Sequence, residues 1–392
     1  MTVTTVGRRQ VTPGSDPAAG HGAEFGVLNP RYPASYWMIA FSKDVRPGEV
    51  VPLRRLERDL LLWRDRSGTI HCQDHRCRQR LGQLGDRWTT RADGVIACEE
   101  HRDDFDGAHQ YIVVERYDAI FVWSGACPAD HELPDILGTY GLQESDVHFL
   151  QWRVMLPFPA KWFSENLPDA THFAVLHNTG DWAECEITYE DDVTFRCAGY
   201  IQGERRLLSL TPRELMKLYR EDRLDDIVEF SGDLDMTVHG GGLNVFKIGS
   251  PEGEAPLTGI SGLIRKFVEA APVIHCFTPV TEDSHVVMMS LPMPKSRVPF
   301  IGHALDWAME KAAVSRNWSA AYADAAVMTH RNERSGPSYN RLDSALIRYR
   351  RFWDRRLLDR TLGEGDNRHS NGRRAGISWK VADGSTELCG LD

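Results

Sequence analysis

The sequence predicts an α+β fold in which a small antiparallel β domain precedes a larger domain with a central antiparallel sheet. Short aromatic or β-branched segments, separated by Gly, Pro or Asp, recur between residues 34 and 125 and are typical of strands joined by turns. From residue 148 onward, similar segments alternate with helical ones. A chain of 392 residues is also too long for one ordinary hydrophobic core, which favours two domains.

The expected boundaries follow changes in composition. Residues 1–28 read as a flexible tail, 29–148 as the β domain, 149–362 as the α+β domain, and 363–392, rich in Gly, Asn and Arg, as a C-terminal tail. A pair of arginines near the N-terminus is not followed by the apolar stretch that a twin-arginine export signal needs. The first tail is therefore not expected to be a signal peptide.

The β domain contains seven predicted strands. In chain order they lie in YWMIAFSKDV, EVVPLRRLE, DLLLWRDRSG, TIHCQDH, GVIACEEH, YIVVERYD and AIFVWSG. The segment ADHELPDILGTYG then reads as a connection to the larger domain.

The larger domain opens with the strand-like HFLQWRVMLPFP, and a helix is expected over about 163–177. Further strands are predicted in ITYEDDVTFRCAGYI, DMTVHGGGLNVFKIG, PVIHCFTPVT and SHVVMMSLPMP. The last two predicted helices lie in HALDWAMEKAAVSRNW and RLDSALIRYRRFWDRRLLD.

Composition excludes several classes of protein. Hydrophobic residues make up 42% of the chain and charged residues 26%, with a formal net charge of −10 and no basic block, so nucleic acid is not expected as a partner. The basic stretch at 348–360 alternates with apolar residues at helical spacing and reads as a solvated amphipathic helix. The sequence has no run of 18 apolar residues, so no membrane span is expected. Eight scattered cysteines favour a reducing cytoplasm, with thiols or metal ligands rather than disulfides.

The segment ENLPDATHFAVLH (165–177) carries the strongest functional signal. Glu165, Asp169 and His172 follow i, i+4, i+7 spacing, which places them on one face of the predicted helix. His177 lies five residues after His172, so both imidazoles converge on one metal only if the helix ends or bulges between them. Two histidines and a carboxylate form the facial triad of non-haem iron oxygenases. The plainer alternative is a pair of partly buried histidines bonded to backbone carbonyls.

This segment resembles the E-N-x-x-D-x-x-H-x-x-x-x-H signature of Rieske-type non-haem iron oxygenases, the α-subunit family that hydroxylates aromatic rings, steroids and other apolar molecules. The likeness extends over roughly residues 30–360. It includes the opening strands from RYPASYWMIAF to SGTIH, the strand pair HCFTPVTEDSHVVMM, and the helix RLDSALIRYR. The resemblance implies a Rieske-like β domain followed by a catalytic domain of the helix-grip type.

The resemblance also implies roles for individual residues. His172, His177 and Asp343 would hold a mononuclear Fe(II), although Asp343 alone reads as a helix-surface aspartate. Asp169 would bridge an iron-ligating histidine to a cluster histidine of the neighbouring subunit in a head-to-tail trimer. Asn166 would lie near the iron, and its alternative interpretation is a helix-start residue.

The cluster motif departs from the family pattern. A Rieske [2Fe–2S] centre needs two cysteines and two histidines, and the family shows C-x-H-R followed by C-x-x-H-G-W. Cys77, Cys98 and His101 match these positions, but Gln79 occupies the place of the first histidine. A glutamine amide oxygen is a poor substitute for an imidazole nitrogen. Four carboxylates also surround His101, at positions 99, 100, 103 and 104.

Three interpretations of this region remain open. The β domain persists as a scaffold without a functional cluster; or a 2Fe–2S cluster forms with Gln79 or a substitute such as His75; or zinc is bound by a set drawn from Cys72, His75, Cys77, Cys98 and His101. His71 and His109 read as surface histidines. The remaining cysteines have no partners at metal spacing and read as buried or incidental thiols: Cys127, Cys185, Cys197, Cys276 and Cys389.

The resemblance thus predicts an iron- and O₂-dependent oxidoreductase that hydroxylates, desaturates or oxidatively cyclises an apolar small molecule of specialised metabolism. With an impaired cluster, electrons would come from a related subunit in a homo- or heterotrimer, from a ferredoxin and reductase, or from the substrate itself. The alternative is a catalytically silent or complementing subunit of a hetero-oligomeric Rieske oxygenase.

Overall fold

A computed structural model gives the architecture of most of the chain between residues 28 and 389. The described residues are 28–77, 82–83, 88–90, 96–98, 111–126, 129–169, 171–172, 176, 185–201, 213, 216–217, 220–221, 232–248, 272–295, 323–331, 339, 341–358, 378–382 and 385–389. The predicted helix at 303–318 lies outside these residues, as do the first 27 residues.

The N-terminal region is built of short antiparallel strands, as predicted. They are β1 (Tyr36–Phe41), β2 (Val50–Arg55), β3 (Arg58–Arg64), β4 (Ile70–Asp74), β5 (Arg76–Cys77), β6 (Gly82–Gln83), β7 (Trp88–Thr90), β8 (Ile96–Cys98), β9 (Val113–Arg116) and β10 (Ala119–Trp123). One three-stranded sheet has the order β1-β10-β9 and another the order β2-β3-β4. The pairs β5-β6 and β7-β8 form two small ladders.

The turns of two hairpins in this region contain large residues with left-handed backbone. Leu56 and Glu57 join β2 to β3 with φ of 52° and 59°, and Tyr117 and Asp118 join β9 to β10 with φ of 60° and 53°. Two-residue turns of this hand match the twist of the flanking strands. Leu56 and Tyr117 are fully buried, so burial of their side chains offsets the backbone cost of about 1–2 kcal/mol per residue.

The larger region is a seven-stranded antiparallel sheet. Its strands are β11 (Val147–Leu156), β12 (Glu186–Glu190), β13 (Thr194–Ile201), β14 (Gly232–His239), β15 (Leu243–Ile248), β16 (Val273–Thr281) and β17 (Ser284–Pro294). The spatial order is β11-β17-β16-β15-β14-β13-β12, so six strands form a meander and β11 closes the far edge. This confirms the predicted central antiparallel sheet.

One face of this sheet packs against the N-terminal region. The backbone of Met38 in β1 donates a hydrogen bond to Cys276 Sγ at 3.2 Å and accepts one from Thr278 Oγ1 at 2.6 Å. Gly242, which precedes β15, lies where an added Cβ would come within 2.7 Å of the carbonyl oxygen of Tyr36. Only glycine permits this approach of the two backbones.

The opposite face is covered by helices. The short helix α1 (Ile136–Thr139), in the connection before β11, is an exception, because its Ile136 and Leu137 belong to the apolar cluster of Met38 and Cys276 on the N-terminal side. Helix α2 (Ala160–Ser164) packs against β16 and β17. Helix α3 (Ser344–Arg351) continues as a π-helical segment, Phe352–Leu358, and residues 323–328 are also helical. The buried members of α3 and its extension are apolar or aromatic, while most of its arginines are exposed, which confirms the amphipathic pattern.

The single helix predicted over 163–177 is wrong. Helix α2 ends at Ser164, and residues 165–168 form turns that contain Pro168. Asp169 is not helical, whereas residues 171, 172 and 176 are. Proline cannot donate the hydrogen bond that would continue α2, and it disfavours helical backbone in the residue before it. Glu165, Asp169 and His172 therefore do not share one helix face.

The C-terminal region also differs from its predicted tail. Strands β18 (Ser378–Ala382) and β19 (Ser385–Cys389) pair as an antiparallel hairpin. The two residues between them in the sequence are Asp383 and Gly384, a dipeptide that favours hairpin turns. This local signal was present in the sequence.

No helix in the described part of the chain has the length and apolar character needed to cross a lipid bilayer.

Candidate active site

Asp169 begins the helical segment that carries His172. Its Oδ1 accepts hydrogen bonds from the backbone N–H of Thr171 at 3.0 Å, the hydroxyl of Thr171 at 2.7 Å and the backbone N–H of His172 at 3.3 Å. These are the bonds of an N-cap aspartate, which satisfies the first free N–H groups of a helix.

The imidazole of His172 is held by the same residue. Its Nδ1 lies 2.6 Å from the carbonyl oxygen of Asp169, and a carbonyl oxygen only accepts hydrogen bonds. Nδ1 therefore carries the proton, and the ring lone pair is at Nε2, the form in which histidine binds a metal. His172 is 8% exposed, so this oriented imidazole lies inside the protein.

Asn166 lies in the turn between α2 and Asp169. Its side chain is 5% exposed, and neither Oδ1 nor Nδ2 has a hydrogen-bond partner among the described residues. Burial of an unpaired amide is costly, so such groups are typical of positions where a ligand or water completes the bonding. The helix-start role considered for Asn166 belongs instead to Asp169.

Glu165 joins this segment to helix α3. Its Oε2 lies 2.5 Å from a guanidinium nitrogen of Arg350 and 2.8 Å from one of Arg331. Burial alone would lower the pKa of Arg350, but the bond to Glu165 outweighs that effect and the net shift is upward. Because Arg350 lies in the helix that follows Asp343, the ion pair connects the two segments expected to supply metal ligands.

Asp343 lies at the N-terminal end of α3 and is 7% exposed. Its carboxylate makes no capping hydrogen bond to the helix. A helix-surface aspartate would be exposed, so this alternative is not supported. A buried carboxylate is instead expected to be paired or to coordinate a metal.

The described residues supply part of the predicted iron site. His172 and Asp343 are buried donors of the types that suit Fe(II), and Asn166 adds an unpaired amide close in sequence. His177, the third predicted ligand, lies outside the described residues. Within the described part of the chain, no three His, Cys, Asp or Glu side chains come together in a metal-binding group. These donor types suit a mononuclear iron, and His177 would be required as the third ligand.

The predicted cluster residues are described only in part. The backbone of Cys77 lies in β5 and that of Cys98 in β8, where Cys98 pairs with Trp88. Gln79 and His101 lie outside the described residues. Cys72 is 1% exposed in the hydrophobic core, and burial raises the pKa of its thiol, which disfavours the thiolate that a zinc site requires.

The surroundings of His71 and of three cysteines outside the cluster motif indicate structural roles. His71 stacks on Trp63 at 5.2 Å and bonds to Asp65 at 2.9 Å. Cys185, Cys197 and Cys276 are buried free thiols, as predicted.

Sequence reasoning missed the ion pairs of Glu165. The basic stretch at 348–360 reads as solvated, yet Arg350 is only 21% exposed and bonds to a residue 185 positions away. No local pattern identifies a partner at that distance.

Comparisons with known proteins agree with this architecture. Residues 35–124 match the family model of the Rieske [2Fe–2S] domain. Aminopyrrolnitrin oxygenase PrnD of Pseudomonas fluorescens is 22% identical over 363 residues, which cover 84% of this chain and 93% of that protein.

Solved structures share the fold at low identity. Dicamba monooxygenase bound to 3,6-dichlorosalicylic acid matches with a TM-score of 0.55 and 16% identity, over 81% of this chain and 95% of that one. The oxygenase in a ferredoxin complex of carbazole 1,9a-dioxygenase, which carries one substitution, matches with a TM-score of 0.57 and 15% identity, over 88% and 95%.

The chain thus matches the Rieske [2Fe–2S] domain over residues 35–124, is similar over most of its length to an oxygenase, and shares the fold of the solved oxygenases.

Proposed function

We propose that the protein uses a mononuclear Fe(II), held by His172, His177 and Asp343, to oxidise an apolar aromatic small molecule with O₂. The observation that carries this proposal is the buried His172, whose Nδ1 proton is committed to the Asp169 carbonyl. The similar proteins are oxygenases of aminopyrrolnitrin, dicamba and carbazole, which favours an aromatic substrate here. The oxidation is a hydroxylation, a desaturation or an oxidative cyclisation.

The protein's own residues would bind, orient and shield the reactants. His172 presents Nε2, Asp343 supplies a carboxylate, and the Glu165–Arg350 ion pair holds their two segments together. Phe158, Phe163 and Phe277 form an aromatic layer beside α2 that excludes water. When bound by these three residues, a ferrous ion would supply the capacity to activate O₂.

We further propose that the Rieske cluster is impaired, because Gln79 stands where the family has a cluster histidine. Electrons would then reach the iron from a partner. The match to an oxygenase solved with its ferredoxin makes a ferredoxin one suitable donor. A related subunit with a complete cluster is another, acting through Asp169 in a homo- or heterotrimer.

The test is metal and sulfide analysis of anaerobically purified protein with its visible spectrum. We expect about one iron per chain and no acid-labile sulfide, because a [2Fe–2S] centre adds about two of each. About three irons and two sulfides would reject the impaired cluster and leave the iron proposal intact. Absence of iron from correctly folded protein would reject the iron site.

A second candidate is a complementing subunit, and the substitution at Gln79 favours it. In that case the chain alone would bind iron without turnover, and activity would require a related subunit with an intact Rieske motif. A silent partner, by contrast, would bind no stoichiometric iron, and His172→Ala would leave the activity of the complex unchanged.

A further inference from the structure

A recess lies where the last turns of helix α3 and its π-helical extension meet strand β12. It has a volume of about 410 Å³, which is within the range of sites that take small molecules. Its lining residues are Glu190, Arg348, Arg351, Phe352, Arg355 and Arg356. Four arginines against one glutamate give the lining a formal charge of +3, so the recess is suited to an anion.

Glu190, the last residue of β12, fixes the position of two of these arginines. Its Oε2 accepts a hydrogen bond from Nε of Arg348 at 2.6 Å, and its Oε1 lies 3.4 Å from Nε of Arg356. The Glu190 side chain is only 11% exposed, whereas the two arginine side chains are 58% and 44% exposed. A guanidinium has five N–H donors, so both arginines keep donors available to a ligand. Asp192, 3.4 Å from Arg356, is 83% exposed and screened by water.

The π-helical winding brings Arg356 to the side of the helix that carries Arg351. The two residues are five apart, a spacing that in an α-helix separates side chains by about 140° around the axis. In a π-helix the hydrogen bonds join residues five apart, so these positions lie about one turn from each other on one side. Arg356 belongs to the π-helical segment, Phe352–Leu358. Such segments are rare, and they are frequent at functional sites.

Arg355 lines the same recess and forms no ion pair or hydrogen bond with any of the described residues. Cations at the C-terminal end of a helix interact favourably with its dipole, which explains basic residues in these turns. The dipole does not explain why four of them border one concave surface around Phe352, a ring that is 1% exposed. Like charges held close together repel each other, and an anion bound between them would relieve that repulsion.

We propose that this recess binds a phosphate group, either free or as the monoester of a small molecule. The planar guanidinium group binds phosphate oxygens through two parallel hydrogen bonds. A phosphate monoester carries a charge of about −1.5 to −2 at pH 7, which offsets more of the positive lining than a single carboxylate does. The site lies on the helix that follows Asp343 but includes none of the candidate iron ligands, so it is independent of the proposed function.

The probes are AMP, adenosine and inorganic phosphate. AMP and adenosine differ only in the phosphate group, and their affinities for the full-length protein are measured by titration calorimetry. Sodium chloride at about 0.15 M screens the attraction of distant surface charges. We expect AMP to bind at least about tenfold more tightly than adenosine, because hydrogen bonds between charged groups are the strong ones. Displacement of AMP by inorganic phosphate would show that the free group also fits, whereas AMP binding without displacement would assign the recess to the ester.

The variant Arg355→Gln removes one charge from the recess without breaking an ion pair among the described residues. We expect its affinity for AMP to fall about tenfold while its Tm without AMP stays close to wild type. Arg356→Gln should weaken AMP binding by a similar factor. The matched control is Arg54→Gln, which changes an arginine that is 46% exposed and pairs with Asp59 in the N-terminal region. This control should keep the wild-type affinity for AMP.

Three results would overturn the phosphate site. The first is wild-type protein that binds AMP and adenosine equally, and the second is wild-type protein that binds neither AMP nor inorganic phosphate. The third is an unchanged affinity for AMP in both Arg355→Gln and Arg356→Gln, which would place the phosphate elsewhere on the protein.

Discussion

Asp169 holds His172 through two different atoms. Its Oδ1 accepts the backbone N–H of His172 at 3.3 Å, and its carbonyl oxygen binds Nδ1 of the His172 ring at 2.6 Å. One residue thus starts the helical segment and selects the tautomer of the candidate ligand. Any role of Asp169 in electron transfer between subunits would come in addition to this structural one.

Asp169→Ala and Asp169→Asn should separate these roles. Alanine removes the cap, so the free energy of unfolding should fall by about 1 kcal/mol and iron binding should weaken. Asparagine caps equally well but carries no charge, so stability and iron content should stay close to wild type. Urea unfolding and iron analysis check both. If Asp169→Asn loses turnover while its stability and iron content stay close to wild type, the carboxylate charge serves electron transfer. Equal stability of the two variants would contradict the cap.

His172→Ala should abolish mononuclear iron binding and turnover, because the variant lacks the only described imidazole of the predicted triad. Iron per chain and substrate oxidation are the measurements. The matched control is His330→Ala, which changes an exposed histidine and should leave both unchanged. Surviving activity in His172→Ala would reject the iron assignment.

Glu165→Ala should destabilise the protein by about 3 kcal/mol, because it leaves two partly buried arginines without their shared carboxylate. The same change should lower iron affinity, since the segments of His172 and Asp343 lose their connection. Glu282→Ala is the control, because Glu282 pairs with Arg31 at an exposed site, 69% and 60% accessible. Exposed pairs contribute about 1 kcal/mol or less. Similar losses in the two variants would contradict a structural role for Glu165.

His285 should make the stability depend on pH. It is fully buried, and burial lowers its pKa from 6.5 to about 4, while its bond to the Phe158 carbonyl opposes this shift. Above pH 6.5 the His285 imidazole is neutral in both the folded and the unfolded protein. Between pH 6.5 and 4 the unfolded state binds a proton that the folded state does not, so the free energy of unfolding falls as the pH falls, by about 1.4 kcal/mol per pH unit.

Urea unfolding of His285→Phe between pH 5 and 8 tests this assignment. The variant should be less stable at pH 8, since the Phe158 carbonyl loses its donor, but its stability should fall less steeply toward pH 5. Val287→Ala lies on the same strand and removes packing without a titrating group, so it should keep the wild-type slope. A slope in His285→Phe equal to wild type would show that this histidine does not titrate in that range.

Gln79→His should restore the family's ligand set at the cluster motif. We expect acid-labile sulfide to rise toward about two per chain, with the visible absorption of a Rieske centre. Gln79→Glu, which adds no imidazole, is the control and should remain free of sulfide. A complete cluster already present in the wild type would contradict the impaired-cluster proposal.

Several features of the fold were readable from local sequence. Short aromatic or β-branched segments indicated the strands of both regions, and Gly, Pro or Asp residues marked their ends. The motif at 165–177 identified the region of His172 and Asp169. Pro168 was an equally local signal, and it accounts for the helix over 163–177 that was predicted wrongly.

Other features depend on residues far apart in the chain, and the sequence alone does not reveal them. Leu56 and Tyr117 adopt left-handed turns because burial of their side chains offsets backbone strain, and that burial exists only in the folded protein. Glu165 pairs with Arg350, which lies 185 residues away in the chain, and strand register places Asn244 opposite His275. The sequence by itself determined which segments form strands and which residues are candidate iron ligands. Tertiary structure decided which charges and polar groups are buried together, because burial and electrostatics depend on distance in space rather than along the chain.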